Sequence, residues 1–141
     1  MLTADDVLTT TRSVRRRLDL SRDVPIELIR ECLEIALQAP SGSNRQAWHW
    51  IVVTDPALRA SIGELYRRAW DAYQRSPVSA AAVTGDPDRV ATQQRVMDSA
   101  SYLAEVIGDV PVHVLACIRA KALPSGNQAT LWGSLLPAAW S

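Results

Sequence analysis

Phenylalanine is absent from this 141-residue chain, and histidine and cysteine occur only twice each. The aromatic side chains are five tryptophans and three tyrosines, a choice for which the sequence offers no physical reason. Excess charge is also missing. Fifteen basic and fifteen acidic side chains cancel, which excludes a global field able to hold DNA or an acidic membrane surface and makes any basic site a local one. Cys32 falls in a helical pattern and Cys117 in a strand pattern. Their separation lacks metal or redox-pair spacing, so both are expected to be reduced, buried and structural, and no metal is expected. No Gly-x-Gly-x-x-Gly follows a strand, which argues against a Rossmann dinucleotide domain. No secretory signal or long apolar span is visible, so a cytoplasmic protein without membrane contact is the expectation. No internal repeat is visible either.

What is present suits a single soluble domain over 1–141, with 48% hydrophobic and 21% charged residues. Thr3 caps a short helix whose first turn holds Asp5 and Asp6, where negative charge meets the positive helix end. Leu18 to Val24 reads as a connector, and Pro25 with Glu27 opens a helix whose buried stripe is Ile26, Ile29, Leu33, Ala36 and Leu37. Pro40 and Gly42 end it. Trp48 to Thr54 is a strand rich in β-branched and aromatic residues. Thr54-Asp55-Pro56 starts a helix carrying Leu58, Ile62, Leu65, Ala69 and Tyr73 on one side, and Asp86-Pro87 repeats the start signal for a long helix of mixed face. Ser76 to Gly85 between them is small and loop-like. Val110 to Ile118 is a second strand, Arg119 to Gln128 a polar loop with Pro124 and Gly126, and Ala129 to Trp140 an apolar helix with Pro137 as a kink or restart point.

Two segments carry chemistry. Thr11 to Arg17 concentrates positive charge around one hydroxyl, Ser13. Arginine forks match phosphate oxygens bidentately and a serine adds a short donor, a recipe for a terminal monophosphate. From spacing alone the run serves equally as a solvated basic exit from the first helix. Nucleic acid is disfavoured by the lack of interleaved aromatics and by the neutral chain. Pro40-Ser41-Gly42-Ser43-Asn44 is turn chemistry, with glycine for positive φ and short polar side chains for local bonds, and serves a connector as well as a site. His49 and His113 lie among strand residues and read as structural rather than as general bases.

Arg12-Ser13-Val14-Arg15 followed by Pro40-Ser41-x-x-Asn44-x-Gln46-x-Trp48 resembles the FMN-dependent nitroreductase family. Asp109-Val110-Pro111-Val112 and Gly133-Ser134-Leu135-Leu136-Pro137-Ala138 extend the resemblance along nearly the whole chain. It implies an α+β fold in which a central, mostly antiparallel sheet is flanked by helices. It also implies a homodimer with flavin at the subunit interface. Carried over by residue, Arg12, Ser13 and Arg15 grip the phosphate and ribityl chain of FMN. Many members have a second basic residue where this chain has Thr11, and Arg16 or Arg17 compensates. Pro40, Ser41, Gly42 and Asn44 reach the flavin held mainly by the other subunit.

The implied activity is NAD(P)H oxidation, with hydride passing to flavin N5 and on to a nitroaromatic, quinone or similar small acceptor in ping-pong order. The cofactor does the hard chemistry, so no acid–base residue is nominated. Relatives with other flavin chemistry, dehalogenation or flavin breakdown, and a non-enzymatic flavin binder are the alternatives. The apolar run Leu131, Leu135, Leu136, Ala139, Trp140 stops at Ser141 without a cap, and only two strands are convincing, so the domain is expected to be incomplete after Ser141.

Overall fold

The computed structural model of the protein describes residues 2–119 and 128–140. Its elements run α1 (Ala4–Thr10), α2 (Ile26–Ala36), β1 (Trp48–Val53), α3 (Pro56–Gln74), α4 (Pro87–Val106), β2 (His113–Ile118) and α5 (Gln128–Trp140), with single 3₁₀ turns at Gly42–Asn44, Ala80–Ala82 and Ile107–Asp109. The expected polar loop after β2 lies outside the described residues from 120 to 127. No described helix is long and apolar enough to cross a membrane.

The helix starts follow their local hydrogen bonds. Thr3 and Asp6 form a reciprocal capping box at α1. Both the Thr3 main-chain N–H and its hydroxyl donate to the Asp6 carboxylate, at 2.9 and 2.8 Å, and hold that carboxyl below its usual range. Asp55 accepts from Leu58 N–H at 2.8 Å to open α3, and Asp86 accepts from Asp88 N–H at 3.0 Å to open α4.

The chain divides into two compact units, Met1–Leu20 with Arg59–Val110, and Ser21–Leu58 with Pro111–Ser141. In the second unit β1 and β2 pair antiparallel, with Trp48 opposite Ile118 and Val53 opposite His113. Trp50 and Val114 share the sheet face that meets α2 and α5, where Ile29, Ala36, Leu135 and Ala138 are buried. The expected α2 stripe is narrower than its periodicity suggested. Ile29 and Ala36 are buried and Leu33 half-buried, whereas Ile26 and Leu37 are exposed. Only a narrow band of the helix faces the small sheet. Cys32 is exposed and Cys117 half-buried, so neither is the buried cysteine expected.

In the first unit Met97, Ala100 and Ala104 form the buried line of α4 at helical spacing. The α3 stripe also turns out differently. Leu58, Leu65 and Tyr73 are exposed, and the residue that goes in is Gly63, because α3 approaches the backbone of the 3₁₀ turn at Gly108. Ser76 to Gly85 is more tied down than its composition suggested. Ser79 is 3% exposed and accepts from Ala81 N–H, and Ala80 N–H donates to the Tyr73 hydroxyl at 3.0 Å.

Candidate functional site

The arginine segment begins where α1 ends at Thr11, whose extended ψ of 127° releases the chain from the helix. Arg12 folds back, and its guanidinium donates to the carbonyls of Thr9 and Thr11 at 3.1 and 2.7 Å. Such carbonyls at a helix end are electron-rich and unpaired within the helix, so a cation is stabilised there. Ser13 is exposed. Leu18 N–H donates to Arg15 carbonyl at 3.3 Å and closes a turn that displays Arg15, Arg16 and Arg17 together.

Two of these arginines lean on α4. Arg15 donates to Ser99 Oγ at 3.3 Å, and Ser99 in turn donates to the Val96 carbonyl at 2.9 Å, so its hydroxyl is oriented to accept. Arg16 donates to the Asp98 carbonyl at 3.3 Å, and its guanidinium carbon lies 5.4 Å from the Tyr102 ring centre, within cation–π reach. Asp98, Ser99 and Tyr102 share one helix face because residues three and four apart are neighbours. The sequence reading missed this partner. The only signal for it was a polar and aromatic trio at that spacing in a helix of mixed face. A guanidinium carries five N–H donors, so Arg15, with one N–H on Ser99, retains most of its donors for an anion.

The loop Pro40 to Gln46 belongs to the other unit. Glycine was expected to supply its positive φ. Instead Ser43, Asn44 and Gln46 occupy the left-handed region, at 54°, 51° and 46°. Asparagine tolerates that region, while for other side chains it costs roughly 1–2 kcal/mol per residue. The conformation is held locally. Asn44 N–H donates to Ser41 carbonyl at 2.9 Å, and Gln46 N–H to Ser41 Oγ at 3.0 Å. Pro40, Gly42, Ser43 and Asn44 are exposed and Ser41 half-buried, so the turn presents its polar groups outward. Strain of this kind clusters at binding loops, where the surrounding bonds over-determine it. Beyond the loop, Arg119 N–H donates to Ala47 carbonyl at 3.0 Å, and a cleft of about 530 Å³ opens at that end of the two-stranded sheet between Arg45, Trp48, His49 and Arg119.

Thus Arg12, Ser13, Arg15 and Arg16 lie together in one unit, and Pro40, Ser41, Gly42 and Asn44 together in the other. His49 is exposed on β1 and His113 is 8% exposed at the end of the ladder. Among the described residues no group of three His, Cys, Asp or Glu could hold a metal ion.

The chain is 50% identical over 54 residues to an NADH dehydrogenase of Thermus thermophilus, a segment that is 38% of this chain and 25% of that protein. It is 40% identical over 42 residues to an iodotyrosine deiodinase of Haliscomenobacter hydrossis, which is 30% of this chain and 19% of the relative. The matches therefore span a quarter or less of these relatives' length. The fold is shared with a crystal structure of oxidized iodotyrosine deiodinase bound to FMN and 3-iodo-L-tyrosine, with a TM-score of 0.60 at 24% identity over 93% of this chain and 66% of that one. The model of the nitroreductase family matches residues 8–139, nearly the whole chain including both motifs, and on that match the chain belongs to the nitroreductase family.

Proposed function

We propose that this chain carries the flavin-binding elements of an FMN-dependent, NAD(P)H-oxidising reductase of nitroaromatics, quinones or similar small acceptors, working as a homodimer with flavin at the subunit interface. The observation that carries the reading is the Arg12-Ser13-Val14-Arg15 segment, exposed at Arg12, Ser13 and Val14 and half-buried at Arg15, in which two guanidinium groups and a hydroxyl stand within four residues and Arg15 keeps free donors beyond its bond to Ser99. That donor set fits a terminal phosphate. Arg12 and Arg15 would bind the phosphate oxygens, Ser13 would donate its hydroxyl, and Arg16 would add to the local positive charge. Ser41, Gly42 and Asn44, with Pro40 shaping the turn, would bring main-chain and side-chain polar groups to the flavin of the partner subunit. Bound FMN would supply the two-electron transfer between NAD(P)H and acceptor. The chain's own part is binding and orientation.

The experiment is to purify the protein, release its cofactor and chromatograph it. FMN is expected. Recovered FAD, or a colourless protein that excess FMN does not tint, would refute the reading. NAD(P)H oxidation at several fixed acceptor concentrations should then give parallel double-reciprocal lines, since both substrates use one flavin face. Reductive dehalogenation is the second reading, favoured by the 40% identity to an iodotyrosine deiodinase. Halide release from an iodinated phenol, in place of nitroaromatic reduction, would select it.

A further inference from the structure

The arginine segment does not hang free from α1. It rests on one face of α4, and the two contacts differ in kind. Arg15 meets a hydroxyl whose own proton is already committed to the Val96 carbonyl, so Ser99 steers one N–H and leaves the rest of the fork open. Arg16 has its planar group against the Tyr102 ring and one N–H on the Asp98 carbonyl. The Asp98 side chain is meanwhile engaged by Gln94 Nε2 at 2.8 Å. Tyr102 and Ser99 are half-buried and flank the buried Met97, Ala100 and Ala104 line, so this face is anchored in the core of its unit.

We propose that Asp98, Ser99 and Tyr102 form a platform that positions the phosphate-binding segment, and that Arg16 is its anchor rather than a phosphate ligand. This rests on the flavin reading above. A flexible arginine loses rotamer freedom when it binds an anion, and a fork already held in place loses less. The platform therefore raises affinity for the phosphate without touching it. A guanidinium can place one N–H on the Asp98 carbonyl while lying over the Tyr102 ring, whereas the compact, more strongly hydrated ammonium of lysine at position 16 preserves the charge, serves both contacts less well and weakens the anchor.

The test compares FMN with riboflavin, which lacks the phosphate, by flavin fluorescence titration of the full chain and its variants. Tyr102→Leu should weaken FMN roughly two- to fivefold, the factor that an exposed cation–π contact supplies, and leave riboflavin unchanged. Tyr102→Phe, which keeps the ring face, should match the parent. Arg16→Lys should behave like Tyr102→Leu, and the double variant should be no weaker than either single one, because both remove the same contact. Equal losses for FMN and riboflavin would reduce Tyr102 to a structural role and overturn the proposal, as would full affinity in Arg16→Lys or in Tyr102→Leu. A parent protein that binds neither flavin would instead refute the flavin reading itself and the platform with it.

Discussion

Replacing Gly63 by alanine tests the packing of the first unit at its tightest point. An added Cβ would stand 2.7 Å from Gly108 Cα and 2.9 Å from Gly108 N, both main-chain atoms of the 3₁₀ turn Ile107–Asp109. No side chain can swing aside there. The two backbones are further tied by the Arg59 guanidinium, which donates to the Val110 carbonyl. Alanine gains about 1 kcal/mol of helix propensity over glycine. Overpacking costs about 1–3 kcal/mol, and a contact this short with backbone belongs near the upper end. The net expectation is destabilisation by about 1–2 kcal/mol, or a thermal midpoint lower by roughly 3–7 °C for a chain of this size.

Two other glycines supply the controls. A Cβ on Gly108 would meet Ala60 Cα at 3.5 Å, an ordinary contact, so Gly108→Ala should stay within about 0.5 kcal/mol of the parent. Gly133 sits exposed in α5 with nothing within 4 Å of its Cβ, so Gly133→Ala should stabilise by up to about 1 kcal/mol. Urea or thermal melts followed by circular dichroism rank the three. A Gly63→Ala protein as stable as Gly133→Ala would refute the close backbone approach and the reason given for the inward turn of α3.

Ser43→Gly should relieve the left-handed strain at φ 54° and stabilise the protein by up to about 1 kcal/mol after the entropic cost of glycine; a lower urea midpoint would show that the serine side chain holds the loop. Arg15→Ala should weaken FMN by about 1.5–3 kcal/mol, the value of a hydrogen bond to a charged group, with the melting curve little changed; equal affinity would move the phosphate elsewhere. Asp6 is held below its usual pKa by the Thr3 main-chain N–H and then by the Thr3 hydroxyl, so its stabilisation of α1 is present above the ordinary carboxylate range and lost as pH falls through the depressed value. Thr3→Ala removes the hydroxyl and should raise the Asp6 midpoint in an NMR titration; an unchanged midpoint would refute the capping box.

Much of the fold was legible residue by residue. Thr3, Asp55-Pro56 and Asp86-Pro87 each announced a helix start, and each forms its cap within two or three residues of itself. The strand from Trp48 and the helix near Gln128 were likewise readable from local composition, and so was the second strand, although it starts at His113 rather than at Val110. Such features depend on bonds spanning a few residues, so the neighbouring sequence holds all the information they need. The two motifs also identified the family, because they occur together and in order along the chain.

Which face of a helix goes inward was not local. Ile26, Leu37, Leu58 and Leu65 had the right periodicity, yet they lie exposed, because burial depends on the partner surface and α3 brings a glycine to its partner instead. The handedness of Ser43, Asn44 and Gln46 was also hidden, since glycine at position 42 was the residue that sterics favoured for it. The partners of the arginines lay furthest from view. Ser99 stands 84 residues beyond Arg15, and nothing near Arg16 in sequence points to Tyr102. Sequence by itself determined the helix starts, the strands and the family, through short-range hydrogen bonds and composition; only the tertiary structure decided what the arginines rest on, because contacts between distant segments exist only once the chain has folded.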